Sequence, residues 1–286
     1  MEIKNLIKRI IPSKIYLKIR YKKIFKRNLD FKNPKTFNEK LNWLKIYDKN
    51  DYTNMVDKYE VKKIIADKIG EQYIIPNYGV WNKFDDIEFE KLPKSFVLKC
   101  THDSGGIVIV KDKEKMNYDE AKKKINKCLK KNYYYESREK TYKNVKPRII
   151  AEKYMEDKKT KELRDYKFFC FDGKVEFMYV ASNRQGEGKT YFNLFTKDFK
   201  EIDVINGHPR APYKIDKPEK YDKMIELSEK IAKGMKHVRI DWYEVDGAVY
   251  FGEMTFYHNG GFIPFIPDKY DYEFGKYLNL WGVEKW

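Results

Sequence analysis

The sequence of 286 residues predicts an antiparallel α+β fold. Two dipeptides typical of tight turns, Asp172-Gly173 and Asp246-Gly247, each separate two runs rich in aromatic and β-branched residues, which is the pattern of a β-hairpin. The helical patterns lie between groups of strands rather than after every strand. The GxGxxG motif and the regular βαβ alternation of a dinucleotide-binding domain are both missing. We therefore expect strands paired by hairpins, with helices packed on them.

The first 28 residues are strongly basic. They are almost free of acid after Glu2, mix Ile, Leu and Tyr with Lys and Arg, and are divided by Pro12 into two short amphipathic segments. One interpretation is peripheral contact between residues 1–28 and an anionic membrane. The other is a helical arm packed on the body of the protein.

The remaining elements follow in chain order. Thr36 and Glu39 have the spacing of a capping box and predict a helix over residues 36–50, and Gly70 ends a second helix over residues 54–70. The later expectations are strands at 95–100, 107–110, 148–154, 165–171 and 175–181, a hairpin at 191–202, helices at 118–132 and 218–236, a hairpin from residue 237, and an aromatic-rich tail.

Composition limits the classes of function. Hydrophobic residues make up 42% and aromatic residues 16%, as in a globular protein. The net charge of +16 comes mostly from lysines spread along the chain, which indicates coding bias more than nucleic-acid binding. Three cysteines without a CxxC pair favour a reduced, cytoplasmic protein, and four histidines without a zinc spacing argue against a transition-metal enzyme. We find neither a signal-peptide pattern nor an apolar run of about 20 residues.

The hairpin around Asp246-Gly247 carries an acidic residue in each strand. Asp241 lies in the first strand beside Arg239, and Glu253 lies in the second. Desolvating unpaired carboxylates is costly, so two acids meeting here with an arginine favour a Mg²⁺ site that also binds phosphate oxygens. We expect a three-residue or bulged turn here. The three-residue form would place Arg239 opposite Glu253 and Asp241 opposite Phe251, with all four on one face. The alternative is an edge hairpin with ordinary surface charges.

A second set of residues has the chemistry of a phosphate site. Lys99 lies near the end of an apolar strand, and the loop after it contains Ser104, Gly105 and Gly106. Glycines allow backbone N–H groups to approach phosphate oxygens, and an ammonium group neutralises their charge. A later apolar strand, residues 148–155, ends in Glu-Lys-Tyr-Met and could hold adenine through its backbone, and Lys167 adds a cation among aromatic residues. Ordinary exposed lysines and surface turns are the alternative.

In this order the motifs resemble the ATP-grasp superfamily. The sequence is most similar to its TupA-like family, associated with teichuronopeptide biosynthesis and found among bacterial surface-polysaccharide genes. The resemblance covers roughly residues 30–265 and also rests on stretches 33–41, 57–59, 75–80, 99–106 and 251–256. It implies two α+β subdomains that clamp a nucleotide, preceded by a helical N-terminal region. The implied segments are a basic arm (1–30), a helical region (31–94), a small subdomain with a phosphate lid loop (95–155) and a large subdomain with the metal site (156–286).

The resemblance also implies ATP and Mg²⁺ as cofactors and a role for each matching residue. Arg239, Lys99 and Lys167 would be catalytic. The metal ligands would be Asp241, Glu253 and either Thr255 or Asn259, because the family usually has Asn where this chain has Thr255. The residues implied to bind ATP are Lys58, Lys62, Lys99, His102, Ser104, Gly105, Gly106, Glu152, Lys153, Tyr154, Met155 and Lys167.

The implied activity is ATP-dependent ligation of a carboxylate to an amine through an acyl phosphate. The expected partners are an anionic or lipid-linked saccharide and an amino acid that supplies the amine, with no nucleic acid. The expected location is the cytoplasm, with the inner face of the membrane as an alternative. Two other functions stay open at this stage: a glycosyltransferase of surface-polysaccharide assembly, and a non-catalytic nucleotide-binding scaffold at the membrane.

Overall fold

The computed structural model describes residues 8–103, 105–184 and 188–282. The chain divides into two compact units. The large unit comprises Met1–Asn50, Ser137–Glu139 and Asp157–Trp286, and the small unit comprises Asp51–Glu136 and Lys140–Glu156. This division groups residues 1–50 with the C-terminal part of the chain and residues 51–94 with the small unit. The division into four segments drawn from the sequence stays a prediction.

The helices and strands alternate along the chain in the irregular way expected of an α+β protein. From Ser13 onward, the helices are α1 (Ser13–Phe25), α2 (Phe37–Tyr47), α3 (Thr53–Val56), α4 (Glu60–Ile69), α5 (Tyr118–Leu129), α6 (Tyr134–Ser137), α7 (Tyr221–Ala232) and α8 (Lys269–Tyr277). The strands are β1 (Asn77–Trp81), β2 (Phe96–Cys100), β3 (Ile107–Val110), β4 (Ile149–Lys153), β5 (Asp165–Phe171), β6 (Lys174–Ser182), β7 (Tyr191–Thr196), β8 (Glu201–Ile202), β9 (Ile205–Asn206), β10 (His237–Val245), β11 (Ala248–Thr255) and β12 (Phe265–Ile266).

The small unit contains a four-stranded antiparallel sheet in the order β1-β4-β2-β3. One face forms a core in which Leu98 and Ala151 are fully buried with Ile125 of α5. Because successive side chains of a strand point to opposite faces, Lys99 and Glu152 lie on the other face. The alternation of these two strands therefore places both residues away from the core.

The large unit contains a six-stranded antiparallel sheet in the order β11-β10-β5-β6-β7-β8. One face packs on α7, where the Nε1–H of Trp242 donates to Ser228 Oγ at 2.7 Å. On the other face the ring of Phe37 in α2 contacts Phe169 and His237, with centroid distances of 6.1 and 5.3 Å. Arg239, Asp241 and Lys167 share this second face, since they alternate with residues that face α7. The face is thus aromatic at one end and charged at the other.

The turn of the β10–β11 hairpin differs from the predicted one. Val245 pairs with Ala248, so the turn has two residues, Asp246 and Gly247, with φ of 49° and 77°. Positive φ at both positions gives the twist that two-residue hairpins prefer. The three-residue turn predicted from the sequence is wrong.

The extra residue lies instead in a bulge at Gly252, where the register shifts by one position. A Cβ at Gly252 would lie 3.0 Å from the Asp241 carbonyl oxygen and 3.0 Å from the Tyr243 ring, so a side chain would crowd the bulge. Asp241 consequently pairs with Glu253.

The predicted cross-strand partners are therefore wrong as well. Arg239 faces Thr255 rather than Glu253, and Asp241 faces Glu253 rather than Phe251. Phe251 pairs with Trp242, and their ring centroids are 6.0 Å apart. Phe251 consequently lies on the α7 face and not with the charged residues.

Several other elements match the sequence expectations, and two do not. The capping box of Thr36 and Glu39 is present at the start of α2. The single helix predicted over residues 54–70 is wrong, because the structure has two helices, α3 and α4, in this region. The break lies at Asp57, whose carboxylate accepts the N–H groups of Tyr59 and Glu60 at the start of α4. The C-terminal tail, for which no helix was expected, contains α8.

The basic arm packs on the large unit through one side of α1. Leu17 and Tyr21 are fully buried, and the Tyr21 hydroxyl lies 3.4 Å from Thr36 Oγ1. The interpretation as a packed helical arm is confirmed for Ser13–Phe25. Residues 1–7 lie outside the described residues.

The buried His237 makes the stability of the large unit depend on pH. Its Nδ1–H donates to the Cys170 carbonyl at 3.0 Å, and burial lowers its pKa to about 3. An unfolded chain binds a proton at this histidine near pH 6.5. Because the folded state does not, the free energy of unfolding should fall by about 1.4 kcal/mol per pH unit as the pH drops from about 6.5 towards 3.

Replacing His237 by a non-titrating aromatic residue should remove this contribution. The variant His237→Phe suits the aromatic surroundings and should lose stability with falling pH less steeply than the wild type. Denaturant unfolding of both proteins between pH 7 and pH 4 measures the difference. Parallel pH profiles for the two proteins would refute the assignment of a neutral buried imidazole.

Candidate active site

Arg239 connects four side chains in the large unit. Its Nε and Nη2 donate to Asp241 Oδ1 and Oδ2 at 2.7 and 2.8 Å, which is a bidentate pair. Nη2 also donates to Glu253 Oε1 at 3.0 Å and to Thr255 Oγ1 at 2.9 Å, and Nη1 donates to Nδ1 of His258 at 3.0 Å. The register of β10 and β11 is the cause, since it places these strand residues around one guanidinium group.

Lys167 of β5 adds a second cation to this cluster. Its Nζ contacts Asp241 Oδ2 and lies 3.3 Å from Asp165 Oδ1, and Arg184 contacts the other oxygen of Asp165. Burial disfavours the charged lysine, but the Asp241 carboxylate more than compensates and raises the pKa of Lys167. The buried acids are thus neutralised by fixed cations.

His258 is neutral and is held in one tautomer. Burial, followed by the nearby Arg239, lowers its pKa well below the ordinary value. Since Nδ1 accepts a hydrogen bond from Arg239, the proton lies on Nε2, which donates to Asn206 Oδ1 at 2.7 Å. His258 is therefore a hydrogen-bond acceptor that fixes the free end of the guanidinium group.

The candidate metal ligands fall into two places. Thr255 Oγ1 lies 3.4 Å from Glu253 Oε1, so Thr255 belongs to the acidic cluster. Asn259 donates from Nδ2 to Asn206 Oδ1 at 3.0 Å and belongs to the hydrogen-bond network of His258. Of the two predicted alternatives, Thr255 is the one beside Glu253. The ligand roles themselves stay predictions.

The chemistry of this cluster fits Mg²⁺. Asp241, Glu253 and Thr255 supply oxygen donors, as Mg²⁺ requires, and Asp241 Oδ1 accepts one hydrogen bond where a carboxylate oxygen has room for about two. Over the described ranges, no group of three or more His, Cys, Asp or Glu side chains could hold a metal ion. A site with two carboxylates suits an ion that takes further ligands from phosphate and water.

In the small unit, Glu152 bridges two lysines. Its carboxylate oxygens lie 2.5 Å from Lys99 Nζ and 2.7 Å from Lys62 Nζ. Burial alone would raise the pKa of Glu152, but the two ammonium groups lower it to about 2. In the structure this carboxylate holds Lys62 and Lys99, which are also implied to bind ATP, side by side. The contact between Glu152 and ATP stays a prediction.

The glycine loop after β2 is shaped by close packing. A Cβ at Gly106 would lie 2.4 Å from Cys128 Sγ and 2.6 Å from Cys100 Sγ, so the backbone at this position excludes a side chain. Gly105 is exposed, and Lys58 Nζ donates to the Asp103 carbonyl at 2.7 Å. Ser104 lies outside the described residues.

His102 is less suited than the lysines to touch a ligand. It is buried, its Nε2 lies 3.2 Å from the Cys128 carbonyl oxygen, and burial lowers its pKa. Its packing beside α5 indicates a structural role at the base of the loop.

The strand end 152–155, which the sequence predicts to hold adenine, contains both exposed and buried side chains. Lys153 is exposed and its backbone N–H donates to the Pro76 carbonyl at 2.9 Å, while Met155 is buried. The Tyr154 hydroxyl donates to Glu156 Oε2 at 2.5 Å. Their contacts to a nucleotide stay predictions.

Sequence reasoning missed three residues of the large-unit cluster. His258 contacts Arg239, Asp165 contacts Lys167, and Asn206 contacts Asn259, all of which are predicted site residues. His258 directly precedes the Asn-Gly-Gly motif, which is the one local signal that could have indicated it. Asn206 lies 52 residues from His258 in the chain and has no signal of its own.

A two-unit antiparallel α+β chain that joins Arg-x-Asp to Glu-x-Thr across one hairpin has the layout of the ATP-grasp class. The sequence model of the family described as TupA-like ATPgrasp matches residues 39–279. The match spans most of the chain, and the chain belongs to this family. The resemblance drawn from the sequence motifs is thereby confirmed, as is the α+β fold with a helical N-terminal region.

Solved structures share only part of the fold at low sequence identity. D-alanine–D-alanine ligase from Bacillus anthracis complexed with ATP is 20% identical, with a TM-score of 0.39 over 70% of this chain and 53% of that one. N5-carboxyaminoimidazole synthase from Aspergillus clavatus is 14% identical, with a TM-score of 0.40 over 76% and 47% of the two chains. The chain thus spans about half the length of these proteins. The search of curated proteins found no match.

Replacing Glu152 tests whether it holds the lysine pair together. The variant Glu152→Gln leaves Lys62 and Lys99 adjacent without their shared carboxylate, and breaking a buried ion pair costs about 3–5 kcal/mol. Denaturant unfolding should show a loss of this size. The control Glu88→Gln removes the exposed partner of Lys91 and should leave the midpoint unchanged. Equal midpoints for Glu152→Gln and the wild type would contradict the bridging role.

Proposed function

We propose that this protein is an ATP-dependent ligase that joins a carboxylate to an amine through an acyl phosphate. The observation that carries the proposal is the Arg239 cluster, in which one guanidinium group contacts Asp241, Glu253 and Thr255 in a chain of the TupA-like ATPgrasp family. Two acids beside an arginine and a buried lysine suit phosphoryl transfer, where charge must be neutralised on the transferring group.

Each cluster has a role in the proposed reaction. Lys62 and Lys99 of the small unit would contact phosphate oxygens, and the segment Glu152–Met155 would hold the adenine. In the large unit, Asp241 and Glu253, with the Thr255 hydroxyl, would hold Mg²⁺, which when bound neutralises phosphate charge. Arg239 and Lys167 would stabilise the charge that develops on the transferring phosphoryl group.

The proposed chemistry has two steps. A carboxylate oxygen of the substrate forms a bond to the γ-phosphorus of ATP while the bond from that phosphorus to ADP breaks. The amine nitrogen then attacks the acyl carbon, the C–O bond to phosphate breaks, and the nitrogen loses a proton. The products are ADP, an amide and a phosphate that carries one oxygen of the original carboxylate.

For the substrates we propose a uronic acid of a surface saccharide or its lipid-linked precursor, and an amino acid that supplies the amine. The net charge of +16 would attract such anionic substrates. A glycosyltransferase is the competing outcome of the assay. The one Asp-Asp pair, Asp85-Asp86, gives it little support, because Asp85 is an exposed residue paired with Lys122 at 2.5 Å.

An isotope experiment tests the proposed mechanism. With a uronic acid saccharide labelled with ¹⁸O in its carboxylate, an amino acid and ATP·Mg²⁺, the released phosphate should carry one ¹⁸O, detected by mass spectrometry. Release of ADP should require both substrates. The variant Glu253→Gln should turn over at least about 100-fold more slowly because it loses an acidic metal ligand.

Unlabelled phosphate would contradict the acyl phosphate. Consumption of a sugar nucleotide without ATP would favour the glycosyltransferase. The mutation Glu88→Gln serves as a charge-matched control, since Glu88 is an exposed residue of the small unit.

We also propose that α1 contacts an anionic membrane from the cytoplasmic side. Its outward surface consists of isoleucines and lysines, and Ile10, Ile15 and Ile19 are 73%, 50% and 60% exposed in the segment leading into and along the helix. Lys18, Ile19 and Lys22 also line a cleft of about 330 Å³. Exposed isoleucines suit the apolar layer of a bilayer, and lysines suit its anionic head groups. A nucleic acid offers phosphates for the lysines but no apolar layer for the isoleucines. Over the described part of the chain, no helix could cross a bilayer.

Vesicle sedimentation tests the membrane contact. The protein should bind vesicles containing phosphatidylglycerol and be released by salt. The double variant Lys18→Gln/Lys22→Gln should bind about 30-fold more weakly, because each lysine near an anionic surface contributes about 1 kcal/mol. The matched control Lys123→Gln/Lys124→Gln removes two exposed lysines of α5 and should bind normally. Equal binding of both double variants, or salt-sensitive binding to RNA alone, would contradict this contact.

A further inference from the structure

Lys45 of α2 is a buried lysine with a complete set of acceptors. It is 1% exposed, and its Nζ donates to the Gly260 carbonyl at 2.6 Å, the Ser137 carbonyl at 2.7 Å and Asn42 Oδ1 at 3.2 Å. Its three N–H groups are therefore all used. Burying an ammonium group is costly, and burial lowers the pKa of Lys45 to about 7. The hydrogen bonds that Lys45 makes are therefore what distinguishes it from an apolar residue at this buried position.

The backbone that Lys45 holds has an unusual conformation. Asn259, Gly260 and Gly261 have φ of 48°, 61° and 63°, and such left-handed conformations are unfavourable for residues with a side chain. A Cβ at Gly260 would lie 3.3 Å from Glu139 Oε1, and a Cβ at Gly261 would lie 2.8 Å from Asn42 Nδ2. Asn42 Nδ2 also donates to the Gly261 carbonyl at 2.8 Å. Two residues of α2 thus hold two consecutive carbonyl groups of this turn.

The turn is directly continuous with the candidate active site. His258 is its first residue, and the ring accepts a hydrogen bond from Arg239 while donating to Asn206. Asn259 donates to the same oxygen of Asn206 at 3.0 Å. The position of the turn therefore determines where the imidazole ring meets the guanidinium group.

We propose that Lys45, with Asn42, is a positioning residue for Arg239 that acts through the turn His258–Gly261. Lys45 and Asn42 hold the turn, the turn fixes the ring of His258, and the ring orients the Nη1 end of Arg239. Helix α2 would thereby contribute to the reaction geometry without touching a substrate. The kinetic part of this inference rests on the proposed ligase function.

The tautomer of His258 reports the positioning independently of any activity. Long-range ¹H–¹⁵N spectra distinguish the two neutral tautomers, and the signal lost in His258→Gln identifies this ring among the four histidines. The wild type should show only the Nε2–H tautomer. The variant Lys45→Met, which keeps the length of the side chain but loses the ammonium group, should show a mixture, and Lys45→Arg should restore the single tautomer.

Kinetics then connect the positioning to the reaction. Lys45→Met should lower kcat for ATP-dependent ligation by about 10- to 100-fold, as expected for a small displacement of a catalytic group, and leave KM for ATP unchanged. Lys40→Met is the matched control, because Lys40 lies on the same helix and donates to the carbonyls of Gly275 and Leu278 at 2.7 and 2.9 Å. It should alter neither the tautomer nor kcat.

The outcomes separate the two hypotheses. A single Nε2–H tautomer in Lys45→Met would overturn the positioning role whatever the activity. Absence of ligation by the wild type would overturn the proposed function, while the spectra still decide the role of Lys45. If Lys45→Met fails to fold, Asn42→Ser removes the donor to the Gly261 carbonyl and should produce the same mixture of tautomers.

Discussion

The bidentate pair between Arg239 and Asp241 is the interaction on which the rest of the large unit depends. Asp241 is fully buried in β10, and Arg239 is 5% exposed. Burying a carboxylate in a sheet is favourable only when cations and hydrogen bonds replace water. Lys167 adds a second cation to Asp241, while Glu253, Thr255 and His258 accept the other hydrogen bonds of Arg239. The strand register and the bulge at Gly252 bring the strand residues of this set within reach.

The surrounding fold separates apolar from charged surface on one face of the large sheet. Residues opposite one another on β5 and β10 change from Phe171 and His237, through Phe169 and Arg239, to Lys167 and Asp241. Phe37 of α2 packs on the aromatic end. Residues of the same helix, Asn42 and Lys45, hold the turn that follows β11. Helix α2 thus packs on the aromatic core and also holds the turn beside the charged end of the sheet. The stability of this helix is therefore linked to the geometry of the Arg239 cluster.

Local patterns were enough to predict many elements from the sequence. The capping box of Thr36 and Glu39 and the Asp172-Gly173 turn depend on neighbours within a few residues, and the structure has them where the sequence places them. The register of β10 and β11 could not be predicted, because the bulge at Gly252 depends on space beside the Asp241 carbonyl and the Tyr243 ring. The motif order sufficed to indicate the family.

Hydrogen bonds and ion pairs between residues far apart in the chain could not be predicted from the sequence. Two of the three acceptors of Lys45 lie 92 and 215 residues away along the chain, and its own helix has an ordinary amphipathic pattern. The partners of Glu152, Lys62 and Lys99, come from two other elements of the small unit, and no local pattern indicated that the three residues meet. A pattern of residue types indicates where charge is concentrated, whereas the fold decides which charges pair.

In the proposed function, the acidic pair beside Arg239 binds a divalent cation together with a nucleotide. Electron paramagnetic resonance of Mn²⁺, titrated in the presence of ADP, measures this directly. The wild type should bind Mn²⁺ with ADP, and Glu253→Gln should bind it at least about tenfold more weakly, since one acidic ligand is lost. Equally tight binding of Mn²⁺ by the wild type and by Glu253→Gln would contradict the claim.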